Sequence, residues 1–243
     1  MLFRSGSFIS AFTYRVPRLI SWVRGRSFCP GCKKTISWFD NIPLISYLLL
    51  SGKCRNCKKK ISLRYPAIEL VSGLSFVGLW CVRGNYSYRS PIELLFILFL
   101  FVITLCVFVV DLENQFISDG LIFAGIIVCV LFFLLSPVPY PLFANFLAGF
   151  VSAFFLLALH LITKGKGMGL GDVKFAILGG LVLGWPYFVV WLFLAFIIGA
   201  FMGIVLILLK KAHFGKKIPF GPYLVVSFWV TFIWGNWLLA FLV

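Results

Sequence analysis

The sequence predicts an all-α polytopic membrane protein of about eight transmembrane helices, the first of them short, with one small zinc-binding cytoplasmic insert. Three observations carry this. Of 243 residues, 62% are hydrophobic and 12% charged, more apolar surface than a single soluble core can cover without leaving large patches in water. Apolar runs near the ~20 residues needed to cross the hydrocarbon recur along the chain. Lys and Arg, which accumulate in loops left on the cytoplasmic side, are clustered rather than spread.

Residues 1–17 are read as a shortened first helix, from about Leu2 toward Val16. They are mostly apolar, carry Arg4 and are too few to span alone. A secretory signal would need a basic start and a small-residue cleavage site as well as an apolar stretch. Residues 18–65 form the only sizeable polar segment. From 66 to 243 the chain reads as one transmembrane domain, with apolar runs at roughly 66–82, 91–111, 119–136, 141–163, 173–185, 187–209 and 221–243. The run at 173–185 is short, and its division from the next rests on Trp185-Pro186.

Orientation follows from the basic residues. Thirteen of the 22 Lys and Arg precede residue 66, three are Lys164, Lys166 and Lys174, and four are Lys210, Lys211, Lys216 and Lys217; Arg83 and Arg89 complete the set. Counting crossings from a cytoplasmic 14–65 segment puts 83–90, 137–140 and 185–186 outside and 112–118, 164–172 and 210–220 inside, in agreement with the charge clusters. The net charge of +15 then holds inner loops against the anionic lipid bilayer, which accounts for these cations without nucleic acid as a partner.

The insert carries Cys29-Pro-Gly-Cys32 and Cys54-Arg-Asn-Cys57, separated by 21 residues. Paired C-x2-C knuckles match a closed tetrahedral zinc site, and nearby cations favour the thiolate form of the ligands. Two disulfides are the competing reading, disfavoured on a cytoplasmic side where thiols stay reduced. Four protein ligands leave no open position for a catalytic water, so the metal is expected to staple a segment whose core is too small to stand unaided. Cys81, Cys106 and Cys129 lie singly in apolar runs and are read as small hydrophobes.

The chain has seven acidic residues, and two of them, Asp111 and Asp172, end long apolar runs. A carboxylate at the rim of a membrane helix is costly unless paired, solvated or chemically used. The inferred topology brings both to the same membrane face. Two carboxyls that share a proton suffice for aspartic proteolysis: one ionised to take a proton from water, the other protonated to polarise the scissile carbonyl. Asp172 closes Gly-Met-Gly-Leu-Gly-Asp, and Gly167, Gly169 and Gly171 are expected to give the backbone freedom for close approach of an extended substrate. The competing reading makes 165–171 a plain inner loop with Asp172 an N-cap, and Asp111 an interfacial charge in company with Glu113 and Asn114.

With these residues the chain resembles the type IV prepilin peptidases, membrane aspartic proteases of the Gly-x-Gly-Asp type, over nearly its whole length. Gly6-Ser-Phe-Ile-Ser-Ala-Phe-Thr-Tyr-Arg-Val-Pro17 looks like the family's opening motif. Ser37-Trp-Phe-Asp-Asn-Ile-Pro43, Ser62-Leu-Arg-Tyr-Pro66 and Glu69-Leu70 look like its cytoplasmic domain, four cysteines included. Asp111-Leu112 with Asp119, then Gly169-Leu-Gly-Asp172-Val-Lys174, then Ile218-Pro-Phe-Gly-Pro222 complete the set in order. The resemblance implies a bifunctional enzyme of the bacterial cytoplasmic (inner) membrane. It removes the short basic leader from prepilin and pseudopilin precursors at the cytoplasmic face, then methylates the new amino terminus with S-adenosylmethionine. It also implies Asp111 and Asp172 as the catalytic pair, Asp119 as a supporting group at an acidic position that relatives can replace, and Lys174 as a holder of the loop or of an acidic part of the substrate, unless it is a topology charge.

Two departures stand out: only five residues precede Gly6 where relatives generally carry a longer apolar helix, and Ser118 stands where a proline commonly precedes the acidic residue. The first bears on the methyl-transfer half, the second on local stiffness. Asp40, Asn41 and Glu69 are the acidic and amide groups available to a methyl donor bearing a sulfonium and an amine; a salt bridge with Arg64 or a turn cap is the competing role. The glycine-rich segment lacks the strand and following acidic residue of a dinucleotide fingerprint, so no Rossmann unit is expected. From a different class, a transporter or assembly-platform protein would use the aspartates as proton carriers and the knuckles as a docking module. It would tolerate Glu at 111 or 172 and cleave no prepilin.

Overall fold

The computed structural model describes residues 2–18, 20–21, 27–42, 44–82, 91–136, 141–210 and 218–242, the side chains of 2–7, 41, 79–82 and 242 excepted. The expected outer loops at 83–90 and 137–140, with Arg83 and Arg89, the side chain of Cys81, and Lys211, Lys216 and Lys217 of the inner loop at 210–220 lie outside the described residues. Among the described residues the regular structure is helical, joined by two isolated β-bridges. The chain divides into two compact units, Met1–Cys106 and Val107–Val243.

In the first unit, α1 (Leu2–Arg15) packs against α3 (Arg64–Val82). The contact is pinned by Arg64 Nη2, which donates to the fully buried Thr13 Oγ1 at 2.8 Å. Between them lie a 3-10 turn (Trp38–Asn41) and the one-turn helix α2 (Ile45–Leu49). The Leu44 N–H donates to Glu69 Oε2 at 3.0 Å and ties the entry of α2 to α3. The helix α4 (Pro91–Asn114) starts in this unit, where Phe101 meets Phe76 edge-on at 5.6 Å between centroids, and ends in the second.

The second unit is built around α7 (Leu170–Leu183), which touches α5 (Asp119–Leu135), α6 (Leu142–Ile162), α8 (Tyr187–Leu208) and α9 (Gly221–Leu242). Small residues make this possible, because helices in lipid associate through close van der Waals approach and interhelical hydrogen bonds. At Gly180 a Cβ would stand 2.6 Å from the Ala148 carbonyl oxygen and 2.8 Å from Gly149 Cα, so α6 and α7 meet backbone to backbone. Ser152 Oγ, fully buried on α6, donates across the seam to the Ala176 carbonyl at 2.8 Å. On the far side Trp191 lies over Gly179, donates Nε1–H to the Leu224 carbonyl at 2.8 Å, and forms a buried aromatic cluster with Phe175 and Phe228.

Among the described residues four helices are long and apolar enough to cross a membrane: α4, α6, α8 and the 221–241 stretch of α9. Apolar α5 is shorter at 17 residues. With 14 residues, α7 rises only about 21 Å at 1.5 Å per residue, short of the ~30 Å hydrocarbon core. Of the eight crossings expected from sequence, these four meet the criteria of length and composition. The expected parting at Trp185-Pro186 is where α7 and α8 separate, after Gly184 turns the chain with φ +68°.

Candidate functional site

Asp111 lies in the last turn of α4, and Asp172 is the third residue of α7. Each residue is 6% exposed, and a buried carboxylate must be compensated by hydrogen bonds. Each receives one from a backbone amide: Gly221 N–H donates to Asp111 Oδ2 at 2.9 Å, and Gly169 N–H to Asp172 Oδ2 at 3.1 Å. The two carboxyls lie within electrostatic reach of each other. Among the described residues neither is in an ion pair. The arrangement is two buried acids on different helices, each held at one oxygen by the entry of a helix.

Asp172 is not itself the N-cap weighed from sequence. Gly169 occupies that position, with φ −83° and ψ 150°, and Asp172 reaches back to its amide from inside the first turn. The glycines also earn a different explanation from the conformational freedom expected. The φ of Gly169 is open to any residue, while Gly171 lies against Ile117, where a Cβ would stand 2.9 Å from the Ile117 Cβ. Left-handed backbone in this loop falls at Lys164 and Gly165 instead. Lys174 and Asp119, expected as separate supporting groups, pair with each other at 2.7 Å, both half-exposed, and join the starts of α5 and α7. Sequence reasoning missed Gly221 as a site residue. Its signal was the Ile218-Pro-Phe-Gly-Pro222 motif, whose glycine lies so close that a Cβ would be 2.7 Å from Asp111 Oδ2.

In the first unit the Sγ atoms of Cys29, Cys32, Cys54 and Cys57 all lie within 4.8 Å of one another, and Cys29 Sγ is 3.8 Å from Cys57 Sγ. A tetrahedral zinc with Zn–S bonds of about 2.3 Å places its sulfurs roughly 3.8 Å apart, so donor set and spacing fit such an ion. The four thiols are free rather than paired as disulfides. Each knuckle closes on itself: Cys29 N–H donates to the Lys34 carbonyl and Lys33 N–H to the Cys29 carbonyl, and the same pattern runs from Cys54 to Lys59 and from Lys58 to Cys54. Backbone N–H groups of Cys57 and Asn56 draw the Cys54 thiol down to about 7, while burial and the neighbouring cysteines push Cys57 up to about 11, so Cys54 is the thiol most ready to ionise for a metal. Cys106 and Cys129 are buried in helices, 1% and 0% exposed, as expected of small hydrophobes.

Beside the cysteines is a cavity of about 290 Å³ whose lining includes Asp40, Glu69, Tyr14, Tyr47 and Tyr65. Its volume is near the lower end of the roughly 300–1,000 Å³ of small-molecule sites, and its carboxylates and aromatic rings suit a cationic, partly apolar ligand. Asp40 is in a salt bridge, the competing role weighed from sequence, with Arg55 as its partner: Nη2 and Nε of Arg55 grip its carboxylate at 2.7 and 2.8 Å. Glu69 accepts from Leu44 N–H. Asn41 ends the 3-10 turn, and its side chain lies outside the described residues.

Two family models match the sequence: the bacterial peptidase A24 N-terminal domain over residues 3–82, and the type IV leader peptidase family over residues 96–204. Among curated proteins the chain is similar to the prepilin leader peptidase/N-methyltransferase of Aeromonas hydrophila, 35% identical over 217 residues, which span 87% of this chain and 72% of the relative. It is 30% identical to the protein of the same description from Pseudomonas aeruginosa over 95% of this chain and 87% of the relative. Against the one from Neisseria gonorrhoeae identity is 34% over 93% and 86%. No solved structure matches the chain.

Proposed function

The chain belongs to the type IV leader peptidase family, and from that premise we propose that it removes the leader of prepilin-like proteins at the cytoplasmic face of the bacterial inner membrane and then N-methylates the new amino terminus. Membership favours this enzyme over a transporter or assembly platform. The observation that carries the chemistry is the pair of buried carboxyls, Asp111 and Asp172, each anchored at one oxygen by a glycine amide and within electrostatic reach of each other. Two carboxylates facing one another resist ionising together, so on this reading the pair shares one proton.

One carboxylate accepts a proton from the attacking water while its protonated neighbour donates to the scissile carbonyl oxygen, and the proton then passes to the leaving amine. Gly221 and Gly169 fix the orientation of the two acids, and the Lys174–Asp119 pair steadies the helix entry that carries Asp172. On this reading residues 66–243 form the peptidase domain, while residues 18–65, after a first helix at 1–17, form an insert whose four thiolates hold zinc as a structural ion. Asp40 and Glu69, with the tyrosines around them, would hold S-adenosylmethionine, which when bound supplies an activated methyl group. Of these carboxylates Glu69 and Asp40, the latter shared with Arg55, would face the sulfonium and the amine of that donor.

Incubating the purified protein with a prepilin and labelled S-adenosylmethionine tests both halves. The expected result is loss of the leader, read by mass, with label on the new terminus. Asp111→Asn and Asp172→Asn should each stop cleavage yet leave methylation of a pre-cleaved pilin intact. Near wild-type cleavage by either variant would remove the acid-pair assignment.

A further inference from the structure

The insert of the first unit bears an apolar surface that its own core does not use. Trp38, Ile45, Leu48, Leu49 and Leu63 are 76%, 56%, 75%, 78% and 72% exposed. Ile45, Leu48 and Leu49 are spaced by three and four residues and so share one face of α2. The turn that bears Trp38 packs on α2 through Ser46 Oγ, which donates to the Phe39 carbonyl at 2.8 Å. Clustered exposed residues of this kind mark an interaction surface.

Two features of the molecule say what covers it. Leu63 immediately precedes α3, and from there exposed positions continue at Ala67, Leu70, Leu74 and Val77, a single stripe along the helix. With α3 read as a bilayer crossing that stripe faces acyl chains, and Leu63 carries it to the end of the insert. Charge points the same way. Residues 18–65 contain eleven Lys and Arg against one acidic residue, Asp40, itself held by Arg55. Lys53 and Lys58 to Lys60 are exposed. Trp and Leu flanked by lysines is the composition of a segment lying in the interface of an anionic leaflet.

We infer that the insert lies on the inner membrane surface, with Trp38, Ile45, Leu48, Leu49 and Leu63 sunk into the headgroup boundary and Lys53 and Lys58 to Lys60 against anionic headgroups. The inference rests on the proposed function for its membrane and its side, and adds the surface on which the insert sits.

The test uses the full chain in nanodiscs of mixed phosphatidylglycerol and phosphatidylcholine, with photoreactive benzoylphenylalanine in place of Trp38, Leu48 or, as a reference on α3, Leu74. Irradiation should give lipid adducts at all three positions by mass spectrometry. Each cation near an anionic surface changes partition about fivefold. Replacing phosphatidylglycerol with phosphatidylcholine, or introducing Lys53→Gln, Lys58→Gln and Lys60→Gln together, should therefore cut the yield at 38 and 48 about fivefold or more and leave 74 unchanged. Metal content equal to the unaltered protein would certify a folded insert in each variant. Lipid capture at 74 with none at 38 and 48, or crosslinks there to a prepilin or a second copy, would overturn the inference and leave the peptidase reading standing. No capture at 74 would remove the membrane reading of α3 itself and the inference with it.

Discussion

Asp111 and Asp172 are legible in sequence because carboxylates are scarce in so apolar a chain, and a helix end in lipid gives such a group few uses. If they share the catalytic proton, Asp111→Asn or Asp172→Asn should lower the cleavage rate by about 10²–10⁴-fold, the usual worth of a general acid or base. Thermal stability of the variants in detergent should stay close to that of the parent. The anchoring amide was hidden, because a bond from Gly221 to Asp111 joins residues 110 positions apart and no local pattern encodes that distance. It has its own consequence: a Cβ at 221 would meet Asp111 Oδ2 at 2.7 Å and push the carboxyl aside. Displacement of about 1 Å in a reacting group costs about 10²-fold. Gly221→Ala should therefore lose cleavage on that scale while methylation of a pre-cleaved pilin continues.

Most helices of the fold follow from apolar runs, and their ends fall near those expected: Leu2–Arg15 against a run from Leu2 toward Val16, and Asp119–Leu135 against 119–136. The shortness of α7 was visible as a brief run, but its place among four other helices was not, because small residues signal contact only once the partner is known. Gly180 and Gly203 look alike in sequence yet differ in surroundings. A Cβ at 180 meets the backbone of α6, whereas one at 203 meets nothing within 4 Å. Gly180→Ala should thus cost about 1–3 kcal/mol through forced separation of α6 and α7, read as a lower Tm in detergent. Gly203→Ala should be neutral or add about 0.5–1 kcal/mol from helix propensity. The knuckled insert is also an element whose stability is borrowed. If the four thiolates hold zinc, a strong chelator should speed hydrogen exchange through residues 27–62 while the α6–α7 seam keeps its protection.

For the whole molecule, charge clusters and span lengths predict which loops face which way, and reporter fusions check it. A reporter active only outside should work at 137–140 and fail at 164–172, with the reverse for a cytoplasmic reporter; the same result at both sites would break the count of crossings. That count is the least settled global property, since α5 with 17 residues and α7 with 14 fall short of bilayer length although the sequence counts their runs as crossings. The division into two compact units was less visible in sequence than the polar insert, because α4 runs through the boundary without a break in its apolar pattern. Within the first unit, the knuckles repeat at an interval of 25 residues: bridges Phe28–Thr35 and Lys53–Lys60, the same carbonyl partners, and left-handed lysines at 33 and 58 with φ 56° and 57°. The fold around the four cysteines is thus one half-site used twice. Transplanting residues 53–60 onto 28–35 should yield a working copy, and a glycine introduced at either lysine should relieve the same backbone cost as at its twin.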